Sequence, residues 1–290
     1  SCTVGESLQS CAACFVSQNP LGRVTASILG RLPEAAARWL AGSDRHYALP
    51  HPLAPLNPYW RQIRLMDERL RILGRLRRKV DLVLAPTAFT VRAFVANGFE
   101  AKKVVLLPFA VESDHPLNRV TKASADHVRF LFVGRLQPYK GAHLLLDAFE
   151  RLEDPRGTTL TIFGAAGEHK DYFRRLQQVM ARNDRIVFQG TIAPERLGEA
   201  FALSDYFVLP SIWHENSPLI LLDALQSKTP VIASDVGGVK DTVEHEVNGL
   251  LFPMGDVEAL RRTLQRAIDE PSLAERLRAA VELPVIEDYA

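Results

Sequence analysis

The chain has 290 residues, of which 47% are hydrophobic and 24% charged, with 35 basic residues against 34 acidic ones. These proportions are those of a soluble globular protein and exclude collagen, coiled coil, disulfide scaffold and disordered chain. A net charge of +1 leaves no global field to attract nucleic acid or a membrane, and no apolar run approaches the ~18 residues of a membrane span.

The length suits one large domain or two ordinary ones. The chain opens at Ser1 with neither an initiator Met nor a signal peptide. Its cysteines are Cys2, Cys11 and Cys14, so nothing past residue 14 can form a disulfide. That favours a cytoplasmic location. Cys11-x2-Cys14 with Cys2 offers three soft ligands where zinc normally takes four. Free thiols or a structural pair is the preferred reading, and no metal is expected. His51, in a proline-rich stretch, reads as a surface residue.

Residues 21–40 have helical periodicity, and 43–60 carry four prolines and read as irregular. Tyr59–Val80 reads as a basic amphipathic helix. Eight Arg and Lys stand against Asp67 and Glu68, with Ile63, Met66, Leu70, Leu73 and Val80 on one face. One reading docks this helix on anionic lipid at the inner face of the membrane. The other, which we favour, packs the apolar face on a sheet and leaves the arginines in water. A strand over 81–87, a helix over 89–97 and a strand over 103–109 follow. Residues 112–126 are polar and aperiodic, which suggests an interdomain linker.

From residue 127 the pattern becomes regular. Short apolar runs at 128–133, 159–163, 185–189, 206–210, 230–233 and 249–252 alternate with helical stretches. The final two helical stretches cover 257–268 and 273–282. This alternation predicts an α/β fold: a doubly wound parallel sheet covered on both faces. The division is a partial domain over 1–111, a linker over 112–126 and a second domain over 127–290.

P-loop, G-x-G-x-x-G, D-x-D and G-x-S-x-G signatures are absent. In "FVGRLQPYKG" (132–141), a strand ends at Gly134 and a helix starts near Ala142. Arg135 and Lys140 lie between them, in a loop at the carboxyl edge of the sheet, where open α/β sheets bind ligands. Two fixed cations before a helix N-terminus suit a diphosphate. A solvated basic loop is the plainer alternative. In "PSIWHENSPLILLDAL" (210–225), Ser217 is the expected N-cap and Pro218 the first helical residue. Glu215 precedes the helix and Asp223 lies two turns into it. One carboxylate could accept from sugar hydroxyls and the other from a ribose. A capped helix bearing a surface acid explains the segment equally well.

Taken together, "VGRL…KG", E-x7-D, "PVIASDVGG" and "NGLLF" resemble the nucleotide-binding domain of GT-B glycosyltransferases, most closely the retaining family 4 group. The resemblance implies a GT-B fold and the transfer of a sugar from a nucleotide diphosphate sugar to a glycan or lipid-linked acceptor hydroxyl, as in polysaccharide biosynthesis. It implies catalytic roles for Arg135, Lys140 and Glu215. Arg135 and Lys140 neutralise the donor diphosphate, so no metal or other cofactor is needed. The Leu219 and Ile220 amides are further phosphate donors, since Pro218 has no N–H. Glu215 holds the transferred sugar, with His214, Asn216 and Ser217 beside it. Asp223, where the family usually has Glu, holds the ribose. The base would lie near Gly164, Gly190 and Thr191. Residues 80–111 resemble the last third of the family's acceptor-side domain, which implies a chain lacking the start of that domain and trimmed at its carboxyl end. Two alternatives are a non-catalytic nucleotide-sugar-binding fragment and a sugar-nucleotide epimerase on the same scaffold.

Overall fold

The computed structural model describes residues 57–153 and 157–283. The expected helix over 21–40, His51 and the three cysteines lie outside the described residues. The chain divides into two compact units.

Among the described residues, the smaller unit contains 57–85 and Val91–Val105. Its elements are α1 (Asn57–Lys79), β1 (Val83–Ala85), α2 (Ala88–Ala96) and β2 (Val104–Leu106). The first three residues of α2 and the last residue of β2, Leu106, belong to the larger unit. β1 and β2 pair as a two-stranded sheet. Ala85, Phe99 and Val104 are buried, with Leu73, Val83, Val91 and Phe94 packed against them. Leu73 thus takes the inward position expected on α1. Leu70, three residues earlier and rotated about 60° away, is exposed, as are Leu65, Ile72 and Leu76. No described helix is long and apolar enough to cross a membrane.

The larger unit comprises Pro86–Thr90 and the chain from Leu106 onward. Its sheet contains β3 (Arg129–Val133), β4 (Thr159–Phe163), β5 (Ile186–Phe188), β6 (Tyr206–Leu209), β7 (Val231–Ser234) and β8 (Gly249–Phe252). The order is β5-β4-β3-β6-β7-β8, and every pairing is parallel. Each strand lies within two residues of the apolar run that predicts it. The helices are α3 (Ala142–Glu150), α4 (Lys170–Met180), α5 (Leu197–Ala202), α6 (Leu219–Gln226), α7 (Val257–Asp269) and α8 (Leu273–Ala279).

Strand alternation builds two cores. Phe130 and Phe132 of β3 pack with Leu145 and Phe149 of α3, Leu176 of α4 and Leu260 and Leu264 of α7. Leu131, between them, faces the other way and packs with Phe201 of α5, Leu221 and Leu225 of α6 and Phe207 of β6. Both faces are covered, which explains why the strands are near-continuous apolar runs. Strand order reverses between β3 and β6. The loops leaving these two neighbours therefore diverge at one crevice of the carboxyl edge, the usual ligand position in such sheets.

Residues 112–126, read as linker, are attached to the larger unit in several places. Leu117 is part of its core. The Ala123 amide donates to the Ala202 carbonyl at 2.9 Å. Lys122 donates to the carbonyls of Phe201 and Ser204 and to the Thr229 hydroxyl. Two apolar anchors, Leu117 and Val120, and the Lys122 ammonium carry this attachment, so it leaves no periodic trace in the sequence.

Candidate functional site

The loop after β3 folds into a 3-10 turn over Pro138–Lys140 and enters α3 through Gly141, at φ 73°. A Cβ on Gly141 would overlap the Pro210 carbonyl oxygen. Only glycine allows both the left-handed conformation and this approach. The close passage aligns the loops after β3 and β6: the Ile212 amide donates to the Tyr139 carbonyl at 2.9 Å, and the Ser211 hydroxyl donates to the same oxygen at 3.1 Å.

This alignment brings Lys140 and Glu215 together. Lys140 Nζ lies 2.7 Å from Glu215 Oε1, with side chains 21% and 11% exposed. Ser211 Oγ lies 2.8 Å from the same Oε1, so its one proton is shared between Glu215 and the Tyr139 carbonyl. Behind Glu215, the turn after β7 supplies two glycines. The Gly238 amide donates to the Glu215 carbonyl at 2.7 Å, and a Cβ on Gly237 or Gly238 would overlap the carbonyl of Glu215 or Asn216. The pair after "PVIASDV" thus serves a backbone contact that no larger residue permits.

The remaining predicted residues belong to the same unit. Arg135, on the same loop as Lys140, is exposed, and its guanidinium has no partner among the described residues. α6 begins at Leu219, with Pro218 in the cap position and no side chain capping it. This corrects the expectation of a Ser217 cap with Pro218 inside the helix. A proline cannot supply a capping oxygen, and the Ser217 hydroxyl makes no bond to the first turn. The Leu219 and Ile220 amides consequently have no acceptor among the described residues, and the helix start presents bare donors. Asp223 lies on the second turn of α6, half-buried. Burial raises its carboxyl above the usual carboxylate range, and the nearby His115 opposes that shift.

His214 stacks on Phe89, with ring centres 5.8 Å apart and planes 15° apart. Its Nδ1 is buried and has no hydrogen-bond partner among the described residues. Asn216 accepts from Thr87 Oγ1 at 3.3 Å and also from Thr90. At the far side of the carboxyl edge, the Gly164 amide donates to the Gly190 carbonyl at 2.6 Å. A Cβ on Gly164 would overlap the Gly134 carbonyl oxygen. Gly190, at φ 70°, faces open space, and Thr191 is exposed. The loops after β3, β4 and β5 therefore lie edge to edge.

Sequence reasoning missed Ser211, Thr87, Thr90 and the backbone task of Gly237 and Gly238. For the glycines a signal existed in the Gly-Gly after a strand. An isolated Ser or Thr has none.

The chain matches the family model "Glycosyl transferases group 1" over residues 117–282. It is 30% identical over 223 residues to a D-inositol 3-phosphate glycosyltransferase of Geodermatophilus obscurus, covering 69% of this chain and 49% of that one. It is 29% identical over 236 residues to the 2-deoxystreptamine N-acetyl-D-glucosaminyltransferase of Streptomyces fradiae, covering 77% and 54%. The chain spans about half the length of these curated relatives. Among solved structures, HepE of Anabaena superposes with a TM-score of 0.64 at 24% identity, over 74% of this chain and 61% of that one. The reversal of strand order, the glycine-gated loops and the family match agree: this chain belongs to the group 1 glycosyl transferases and has the GT-B fold.

Proposed function

We propose that the protein transfers a sugar from a nucleotide diphosphate sugar to an acceptor hydroxyl, with retention of configuration, in the manner of the family 4 enzymes. The observation that carries this reading is the Lys140–Glu215 pair, and it is supported by an Arg135 guanidinium and α6 amides that have no partner among the described residues. It is supported by HepE, whose structures contain UDP, UDP and glucose, or UDP-glucose.

Bond cleavage at the donor's anomeric carbon builds negative charge on the leaving diphosphate. In this reading Arg135, Lys140 and the Leu219 and Ile220 amides meet that charge, and interactions that strengthen in the transition state raise the rate. Two cations suffice for this role, so the reading calls for no metal or other cofactor. When the diphosphate draws on Lys140, Glu215 becomes available to accept from hydroxyls of the transferred sugar, with His214, Asn216 and Ser217 around it. Asp223 accepts from the ribose hydroxyls. A planar base lies near Gly164, Gly190 and Thr191 in this reading, with Gly190 facing open space. A glycan or lipid-linked hydroxyl is the acceptor class, with residues 1–111 on the acceptor side, 112–126 as the connection and 127–290 holding the donor. A second role for the basic helix over 59–80, peripheral contact with the cytoplasmic face of a membrane, is supported by the exposed Leu65, Leu70, Ile72 and Leu76.

Incubation with a panel of labelled nucleotide sugars, followed by product analysis, tests the proposal. Transfer to an acceptor or to water supports it. An epimerised donor would assign the site to an isomerase, and binding without turnover would assign it to a binding protein.

A further inference from the structure

Segment Pro86–Thr90 belongs to the larger unit, although it precedes the unit's sheet by about forty residues. It is fixed to the candidate site at several points. The Phe89 amide donates to Asp241 Oδ2 at 2.7 Å, and the Phe89 ring stacks on His214. Thr87, 2% exposed, accepts from the Thr90 amide at 3.2 Å. Its hydroxyl lies 2.8 Å from that of Thr90. Both hydroxyls donate to Asn216 Oδ1.

An asparagine amide has one acceptor and two donors. Here two hydroxyls saturate the acceptor, and Nδ2 has no acceptor among the described residues. The backbone of Asn216 is held as well, because its carbonyl packs against Gly238 where a Cβ would sit. Asn216, exposed and adjacent to Glu215, therefore turns its two N–H groups outward in a fixed orientation. We infer that Thr87 and Thr90 are positioning residues that lock Asn216 as an N–H donor to an acceptor oxygen of the bound nucleotide sugar. The inference rests on the donor-binding reading and adds to it the polarity of the ligand atom at this position. That atom carries lone pairs, either on a sugar hydroxyl or on a phosphate.

Calorimetry of the whole chain with UDP and with UDP-glucose tests this, on wild type, Asn216→Asp, Thr90→Val and Thr90→Ser. Asn216→Asp replaces the donor by an acceptor of the same shape and should lower affinity at least about tenfold. Thr90→Val keeps the shape but removes the hydroxyl, and should cost about threefold to tenfold. Thr90→Ser should bind like wild type. A loss confined to UDP-glucose places the partner oxygen on the sugar, and an equal loss with UDP places it on a phosphate. The inference is overturned if Asn216→Asp or Thr90→Val binds like wild type. It is also overturned if Thr90→Ser loses as much as Thr90→Val, because the hydroxyl that serine keeps would then not account for the loss. Absence of wild-type binding to any nucleotide sugar would instead remove the donor-binding reading. Positioning is then read by hydrogen exchange across residues 212–222. Thr90→Val should speed exchange about fivefold, the equivalent of one net hydrogen bond, and Thr90→Ser should not. Unchanged exchange in Thr90→Val overturns the positioning role.

Discussion

Replacing Lys140 by Met isolates the contact at the centre of the site. Among the described residues, Glu215 Oε1 has two partners, Lys140 at 2.7 Å and Ser211 at 2.8 Å. Its side chain is only 11% exposed. Lys140→Met leaves the carboxylate buried with a single hydroxyl donor. Breaking one side of a buried pair costs about 3–5 kcal/mol, and the partial exposure of Lys140 puts this site at the lower end, about 3 kcal/mol. Glu215→Gln keeps an amide oxygen for Lys140 and Ser211 and strands a lysine that can reach water, so about 1–2 kcal/mol is expected. The double variant has no charge at this position and should lose much less than the sum, with a coupling of about 2 kcal/mol. Urea unfolding of the four proteins, followed by circular dichroism, measures this cycle. Additive losses would mean that Lys140 and Glu215 are independent in the unliganded protein. The view that the diphosphate draws Lys140 away from Glu215 would then fail.

Other perturbations probe neighbouring parts of the account. Arg135→Ala should weaken UDP by about 1.5–3 kcal/mol, the worth of a hydrogen bond to a charged group, with little change in stability because the guanidinium has no partner among the described residues; equal affinity by calorimetry would remove it from the site. Gly141→Ala should destabilise by more than about 1 kcal/mol, since alanine is strained at φ 73° and its Cβ would separate the two site loops; a wild-type urea midpoint would contradict this. Hydrogen bonds from Arg266, then Arg276, hold the Glu246 carboxyl down at about 2, against an ordinary value of 4.5. The folded state favours the charged form, so this stabilisation is complete above pH 4.5 and is lost as pH falls towards 2. The group is about one-third exposed, so its worth is about 1 kcal/mol or less. The stability gap between wild type and Glu246→Gln should therefore close between pH 5 and pH 2, and a constant gap in urea unfolding would refute the linkage.

Much of the larger unit was legible because its strands are buried on both faces. Phe130, Leu131 and Phe132 form an apolar run that only a covered parallel strand explains, and Gly134 ends it. Strand ends were missed by a residue or two because pairing, not hydropathy, decides them. The meeting of Lys140 and Glu215 across 75 residues follows once β3 and β6 are neighbours, and sequence periodicity indicates strands without stating their order. The start of α6 was misplaced because Ser217-Pro218 is a common helix opening, yet here the chain stays extended through Pro218, with ψ 119°. Ser211, Thr87 and Thr90 were invisible for a different reason. Each acts through one long-range hydroxyl contact, and a single polar residue in a loop has no pattern to betray it. The docking of residues 112–126 was hidden likewise, since Leu117, Val120 and Lys122 are isolated anchors in a polar stretch.

The central claim is that the transferred sugar lies at Glu215 and the ribose at Asp223, and calorimetry with UDP-glucose and UDP tests it most directly. Glu215→Gln should weaken UDP-glucose by about 1–3 kcal/mol and leave UDP no weaker than in wild type. Asp223→Asn should weaken both ligands alike, because both contain the ribose. If Glu215→Gln weakens UDP as much as UDP-glucose, the sugar does not lie where the account places it.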